Sequence, residues 1–102
     1  MTAQSVDAGS QTTIMLKGDL DLSTIDTLTS AIDVAERSHA QRIVLDLSDV
    51  EFIDASGLRA LVFASERSRV DGNRLRIRKG QARAVSRMFE LTAIDEQLPL
   101  VA

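Results

Sequence analysis

Asp54-Ala55-Ser56-Gly57 joins an apolar strand pattern, Ile43-Val44-Leu45-Asp46-Leu47, to a segment from Leu58 to about Arg69 that reads as a helix. Ser56 therefore falls where a loop becomes a helix. A hydroxyl there can cap the helix. A phosphate there would meet unpaired backbone N–H groups at the positive end of the helix dipole. Ser56 is the leading candidate for a functional switch, and an ordinary cap is the alternative. The setting also suits a nucleophilic serine, but the flanking residues are Asp-Ala-Ser-Gly-Leu rather than Gly-x-Ser-x-Gly. The only histidine, His39, lies in the polar stretch Arg37-Ser38-His39-Ala40-Gln41 before the strand. That is the strand end opposite Ser56, so a catalytic triad has no base in reach. His39 reads as a solvent-facing loop residue.

Asp19, Asp21 and Asp54 could cluster, but Asp-x-Asp alone is a weak cation signal, and no EF-hand loop, His or Cys supports it. A charge-tuning role fits them better, and no metal is expected. There is no Gly-x-x-x-x-Gly-Lys-Ser/Thr and no Gly-x-Gly-x-x-Gly, so no nucleotide loop. The chain has no cysteine, which excludes disulfides and thiolate chemistry. Arginines between Arg67 and Arg87 could face nucleic acid. Against that, the net charge is -3 and the only aromatics are Phe52, Phe63 and Phe89. All three phenylalanines sit in patterns that suggest packing, so stacking platforms are missing and no nucleic-acid partner is expected.

The elements that must hold these residues follow from periodicity. At 102 residues, 44% of them apolar, the chain suits one domain with one core. It has no apolar run long enough to span a membrane. Its polar start, Met1 to Gln11, does not read as a secretory signal. A cytoplasmic protein fits. Residues 1–58 carry a net charge of -7 and residues 59–102 a net of +4; such asymmetry suits either solvated faces or a steered partner. Thr12–Lys17 reads as a strand, with a weak earlier one near Ala3–Val6, turned back through Asp7-Ala8-Gly9-Ser10. Gly18-Asp19-Leu20-Asp21 reads as a loop. Ser23 with Asp26 resembles a capping box, and Ile25, Leu28, Ile32 and Ala35 continue at helical spacing. Ile43–Leu47 is apolar enough for an inner parallel strand covered on both faces. Leu58, Leu61, Val62 and Ser65 stripe the next helix. Asp71-Gly72-Asn73 is a turn. In Arg74–Arg78, Leu75 and Ile77 face in and the arginines face out. Ala82, Val85, Met88 and Phe89 mark a third helix. Leu98–Val101 is a last strand, with Pro99 at an edge or at its start. The order β-β-α-β-α-β-α-β predicts an α/β fold, a mixed, mostly parallel sheet of about five strands with crossover helices. In such sheets the carboxyl-end loops form the working edge. Here they are Gly18–Leu22 and Ser48–Ala55, which bring Asp19, Asp21, Asp54 and Ser56 together.

Three blocks carry a resemblance. They are Gly18-Asp19-Leu20-Asp21, the run from Ile43 through Asp54-Ala55-Ser56-Gly57-Leu58, and Phe89-Glu90-Leu91-Thr92-Ala93-Ile94-Asp95. Over about residues 12–101 the chain resembles a STAS domain of the bacterial anti-sigma factor antagonist family. The middle block is the most specific. The resemblance implies one STAS domain over 1–102, with Ser56 as the phosphoacceptor and Asp21 as the acidic residue beside it. It implies a partner that is both anti-sigma factor and serine kinase. The unphosphorylated protein would bind that partner and release the sigma factor; phosphorylation would end the binding and a phosphatase restore it. The chain would then be a substrate and not an enzyme, without cofactor or membrane insertion, and a monomer or weak dimer. The docking surface would comprise Asp19, Asp21, Asp54, Ser56, Gly57 and Arg59. The chain departs from the family in Ala55, often Ser, and in Ala93, often Gly. Its first strand is unusually polar, and it ends at Ala102 where many members carry a further helix. STAS domains also serve as ligand-sensing modules, stress-complex scaffolds and lipid-transporter accessory subunits, without a phosphorylation switch.

Overall fold

The computed structural model describes residues 1–101, apart from the Asp95 side chain; Ala102, the last residue of the expected 1–102 domain, lies outside the described residues. Five strands form: β1 (Thr2–Ala8), β2 (Gln11–Leu20), β3 (Arg42–Ile53), β4 (Leu75–Arg78) and β5 (Leu100–Val101). Three helices connect them: α1 (Ile25–Glu36), α2 (Ala55–Val70) and α3 (Arg83–Thr92). The order is the one expected, with a 3-10 turn, Ile94–Gln97, added before β5. The strands stand in chain order across one sheet. β1 and β2 pair antiparallel, and the remaining neighbours are parallel. Among the described residues no helix is long and apolar enough to cross a membrane.

Successive side chains of a strand point to opposite faces, and here one face takes nearly all the apolar ones. Ile14 and Leu16 of β2, Ile43, Leu45 and Leu47 of β3, and Leu75 and Ile77 of β4 are buried in one cluster. Leu28 and Ile32 of α1, Leu58 and Leu61 of α2, and Val85 and Phe89 of α3 join the same cluster. The three helices therefore cover a single face. The expectation that β3 is covered on both faces does not hold. On the other face Met15 is exposed, and Asp46 pairs with Arg78 at 3.1 Å. Val44 is buried there among its strand neighbours, not beneath a helix. Phe89 packs as expected, but Phe52 and Phe63 are 45% and 67% exposed, so two of the three aromatics are surface residues.

The strands overrun their expected ends. β2 continues to Leu20 and β3 to Ile53, so most of Gly18–Leu22 and Ser48–Ala55 is strand and not loop. Register shifts between Met15 and Lys17 and between Gly18 and Asp19 let the pair continue past its polar residues. β1 is also longer than Ala3–Val6, because an antiparallel edge strand can leave its polar side chains in water. Pro99 sits just before edge strand β5, and its carbonyl accepts from the Ile77 N–H at 2.9 Å.

Candidate functional site

The long β2–β3 pairing builds the carboxyl edge of the sheet. Asp19 lies opposite Phe52 and Leu20 opposite Ile53. The Asp54 N–H then donates to the Leu20 carbonyl at 3.2 Å, which fastens the start of α2 to the end of β2. Asp54 has extended backbone (φ -106°, ψ -176°), and its Oδ1 accepts from the Gly57 N–H at 2.9 Å. The cap of α2 is therefore Asp54, not Ser56. Asp54 suits the role because a carboxylate both accepts an orphan N–H and complements the positive helix end.

Ser56 is consequently the second residue of the helix, half-exposed in its first turn. The first backbone N–H groups of a helix lack intrahelical acceptors. Among the described residues the Ser56 hydroxyl makes no hydrogen bond, so it is available to a reacting group. Gly57, the next residue, is buried. A Cβ there would stand 2.5 Å from the Leu20 carbonyl oxygen and 2.9 Å from the Ile53 and Leu20 side chains. Only glycine lets α2 begin this close to β2, and that approach sets Ser56 beside the Asp21 loop. Arg59, three residues after Ser56, is exposed.

Asp21 is half-buried at the turn between β2 and α1. Its Oδ1 accepts from the Ser23 hydroxyl at 2.6 Å and the Ser23 N–H at 3.0 Å. The Asp21 N–H donates to Thr24 Oγ1 at 3.0 Å, and the Thr24 hydroxyl donates to the Asp19 carbonyl at 2.8 Å. The Ser23 hydroxyl, more than any other contact, holds the Asp21 carboxyl below its ordinary value of 3.8; the Ser23 N–H and Thr24 add to this against slight desolvation. Asp21 thus stays anionic at the turn that leads into α1. The capping box expected from Ser23 and Asp26 does not form. The Ser23 hydroxyl is drawn to Asp21 instead, and α1 starts two residues later, without a side-chain cap.

Other expected residues sit elsewhere. His39 is exposed before β3, with the whole strand between it and Ser56. Among the described residues no three acidic or histidine side chains gather as a metal requires. Two of the arginines that could have faced nucleic acid are drawn into contacts within the fold. Arg67 spans from α2 to Asp33 and Glu36 of α1. Arg74 is half-buried and donates to the carbonyls of Glu36, Ser38 and Ala40, at the carboxyl end of α1.

One feature of this end leaves little mark on the sequence. A groove of about 340 Å³ starts at Ser56 and runs between α1 and α2. Its walls are Ile25, Leu28 and Ile32 on one side and Ala60, Phe63 and Ala64 on the other. Leu22, 75% exposed, stands at its mouth. The only local signals were an isolated leucine between Asp21 and Ser23, and a phenylalanine off the buried stripe of α2.

A family model described as "Mlab, STAS domain" matches residues 4–102. The fold is similar to that of an anti-sigma factor antagonist from Mycobacterium paratuberculosis. That match has 26% identity and a TM-score of 0.83, and covers 97% of this chain and 83% of the other. It is also similar to the unphosphorylated form of the anti-sigma factor antagonist SpoIIAA, with 16% identity and a TM-score of 0.73 over 99% of this chain and 89% of the other. A serine-to-glutamate variant of RsbS from Moorella thermoacetica matches with 17% identity and a TM-score of 0.74, over 97% and 85% of the two chains.

Proposed function

This chain belongs to the STAS domain family, and from that premise we propose that it is an anti-sigma factor antagonist switched at Ser56. The observation that carries the reading is the setting of that residue. Half-exposed in the first turn of α2, it follows the capping Asp54 by two residues, and its hydroxyl makes no hydrogen bond among the described residues. The similarity to antagonists of the same fold supports the role.

In the unphosphorylated state the carboxyl edge of the sheet docks on an anti-sigma factor that is also a serine kinase, and the sigma factor is released. Asp19, Asp21, Asp54, Ser56 and Arg59 contact the partner, and Gly57 keeps them close. The kinase transfers the terminal phosphoryl group of ATP to Ser56 Oγ, which gives up its proton, and ADP leaves. The phosphate adds about -1.5 to -2 charge. Within the free protein the start of α2 accommodates it. Against a docked partner the same charge would be desolvated next to two carboxylates. An unpaired interface charge costs about 2–5 kcal/mol, which lowers affinity roughly thirty- to several-thousand-fold. No change of fold is needed. A phosphatase resets the protein, which acts as a substrate and not as an enzyme.

With the cognate kinase, Ser56→Ala keeps binding and takes no phosphate, whereas Ser56→Glu binds weakly. Ser56→Glu binding as tight as wild type would contradict the charge argument. The second reading, an accessory subunit with no switch, is favoured by the description of the matching family model, which names Mlab and not an antagonist. Co-purification separates the two: a soluble serine kinase supports the first, a transporter ATPase the second.

A further inference from the structure

The groove between α1 and α2 is used only at its Ser56 end by the docking surface above. We propose that it binds a single-chain amphiphile with an anionic head, the head at Arg59 and the chain between the two helices. Charge and length both point to this occupant. The groove is walled by aliphatic and aromatic side chains, and the only charged residues lining it are two cations, Arg59 and Arg67. Arg67, at the far end, is already neutralised by Asp33 and Glu36. Arg59 makes no ion pair among the described residues and lines the groove together with Ser56, less than one helical turn along α2 from it. The two acids closest in sequence to Ser56 and Leu22 do not line the groove: Asp54 is turned to the Gly57 N–H and Asp21 to Ser23. The trough therefore ends in one unpaired positive charge and a hydroxyl.

The run from Ser56 to Arg67 is about 16 Å of helix at 1.5 Å per residue, which matches an extended medium-length acyl chain. The volume falls within the usual range for small-molecule sites, about 300–1,000 Å³. Phe63 and Leu22, both largely exposed, would be covered by the chain. The head group would sit over the Ser56 hydroxyl, so occupancy competes with anything docked there. That last consequence rests on the proposed function; the binding itself does not.

The test uses the purified chain alone. Dodecanoate is titrated below its micelle concentration while backbone amide shifts are followed, and dodecyltrimethylammonium serves as the cationic comparison. Saturable shifts are expected at Leu22, Ile25, Ser56 and from Arg59 to Phe63, with dodecanoate the tighter ligand. Arg59→Gln should weaken dodecanoate about three- to tenfold at low salt, without weakening the cationic amphiphile. Phe63→Ala should weaken both. The proposal is overturned by no saturable shift, by equal affinity for the two head groups, by an Arg59→Gln variant that binds dodecanoate as wild type does, or by shifts confined to the open sheet face at Val6 and Met15. None of these outcomes bears on whether Ser56 is a phosphoacceptor.

Discussion

Replacing Gly57 with alanine tests how the site is held. Gly57 lies in the first turn of α2, where alanine by itself favours the helix by roughly 0.5–1 kcal/mol. The added methyl, however, would stand 2.5 Å from the Leu20 carbonyl oxygen and 2.9 Å from Ile53 Cγ1 and Leu20 Cγ. The nearest neighbour is backbone, fixed by its bond from the Asp54 N–H, so no rotamer change relieves it. The start of α2 must move away from β2. Overpacking of this kind costs about 1–3 kcal/mol. Set against the propensity gain, the net loss is on the order of 1–2 kcal/mol. For a chain of this size that lowers Tm by roughly 4–15 °C. Urea unfolding should show a lower midpoint with an unchanged slope. Phosphorylation by the cognate kinase should also slow, because Ser56 moves with the helix. A variant as stable as wild type, phosphorylated at the same rate, would refute the packing argument.

Asp54→Ala should cost about 1 kcal/mol through the lost helix cap, while Ser56→Ala should leave stability within about 0.5 kcal/mol; equal losses in chemical denaturation would mean the cap is wrongly assigned. Ala93 holds the left-handed conformation at the end of α3 (φ 51°), so Ala93→Gly should raise Tm by roughly 2–8 °C, and a fall would count against backbone strain there. Acid should destabilise the fold through Asp21 and Asp46. For Asp46, burial opposes ionisation, but Ser48 and Arg78 outweigh it and hold the carboxyl below 3.8. Both groups are depressed, so their contribution is full above the unfolded value and is lost as pH falls through the folded one. Thermal melts should show stability falling below about pH 4, and Asp46→Asn should flatten that fall.

The order of elements was legible because period-2 and helical patterns alternate cleanly from Thr12 to Phe89. The strand ends were not. Asp19, Asp49 and Glu51 look like loop residues, yet register shifts keep their strands paired while the carboxylates stay in water. Ser56 was legible as a residue at a helix start, but its neighbour Asp54 is an equally good capping type. Only the extended backbone of Asp54 and its bond to Gly57 decide between them. Ser23 misled for a similar reason, since a nearby carboxylate competes for its hydroxyl. Phe63 lies two residues from buried Leu61, about 200° around a helix, so its exposure was there to be read. The groove was not, because it exists only where two helices distant in sequence meet. Nor does the pattern of β3 reveal that all three helices fall on one face, since Val44 is buried by flanking strands.

Mass spectrometry of the protein, isolated from its own cells and again after incubation with the cognate kinase and ATP, tests the switch most directly. The account predicts one phosphate, on Ser56, abolished in Ser56→Ala and removed by the cognate phosphatase. Phosphate found only on another residue, or none after incubation with a kinase that binds the chain, would contradict it.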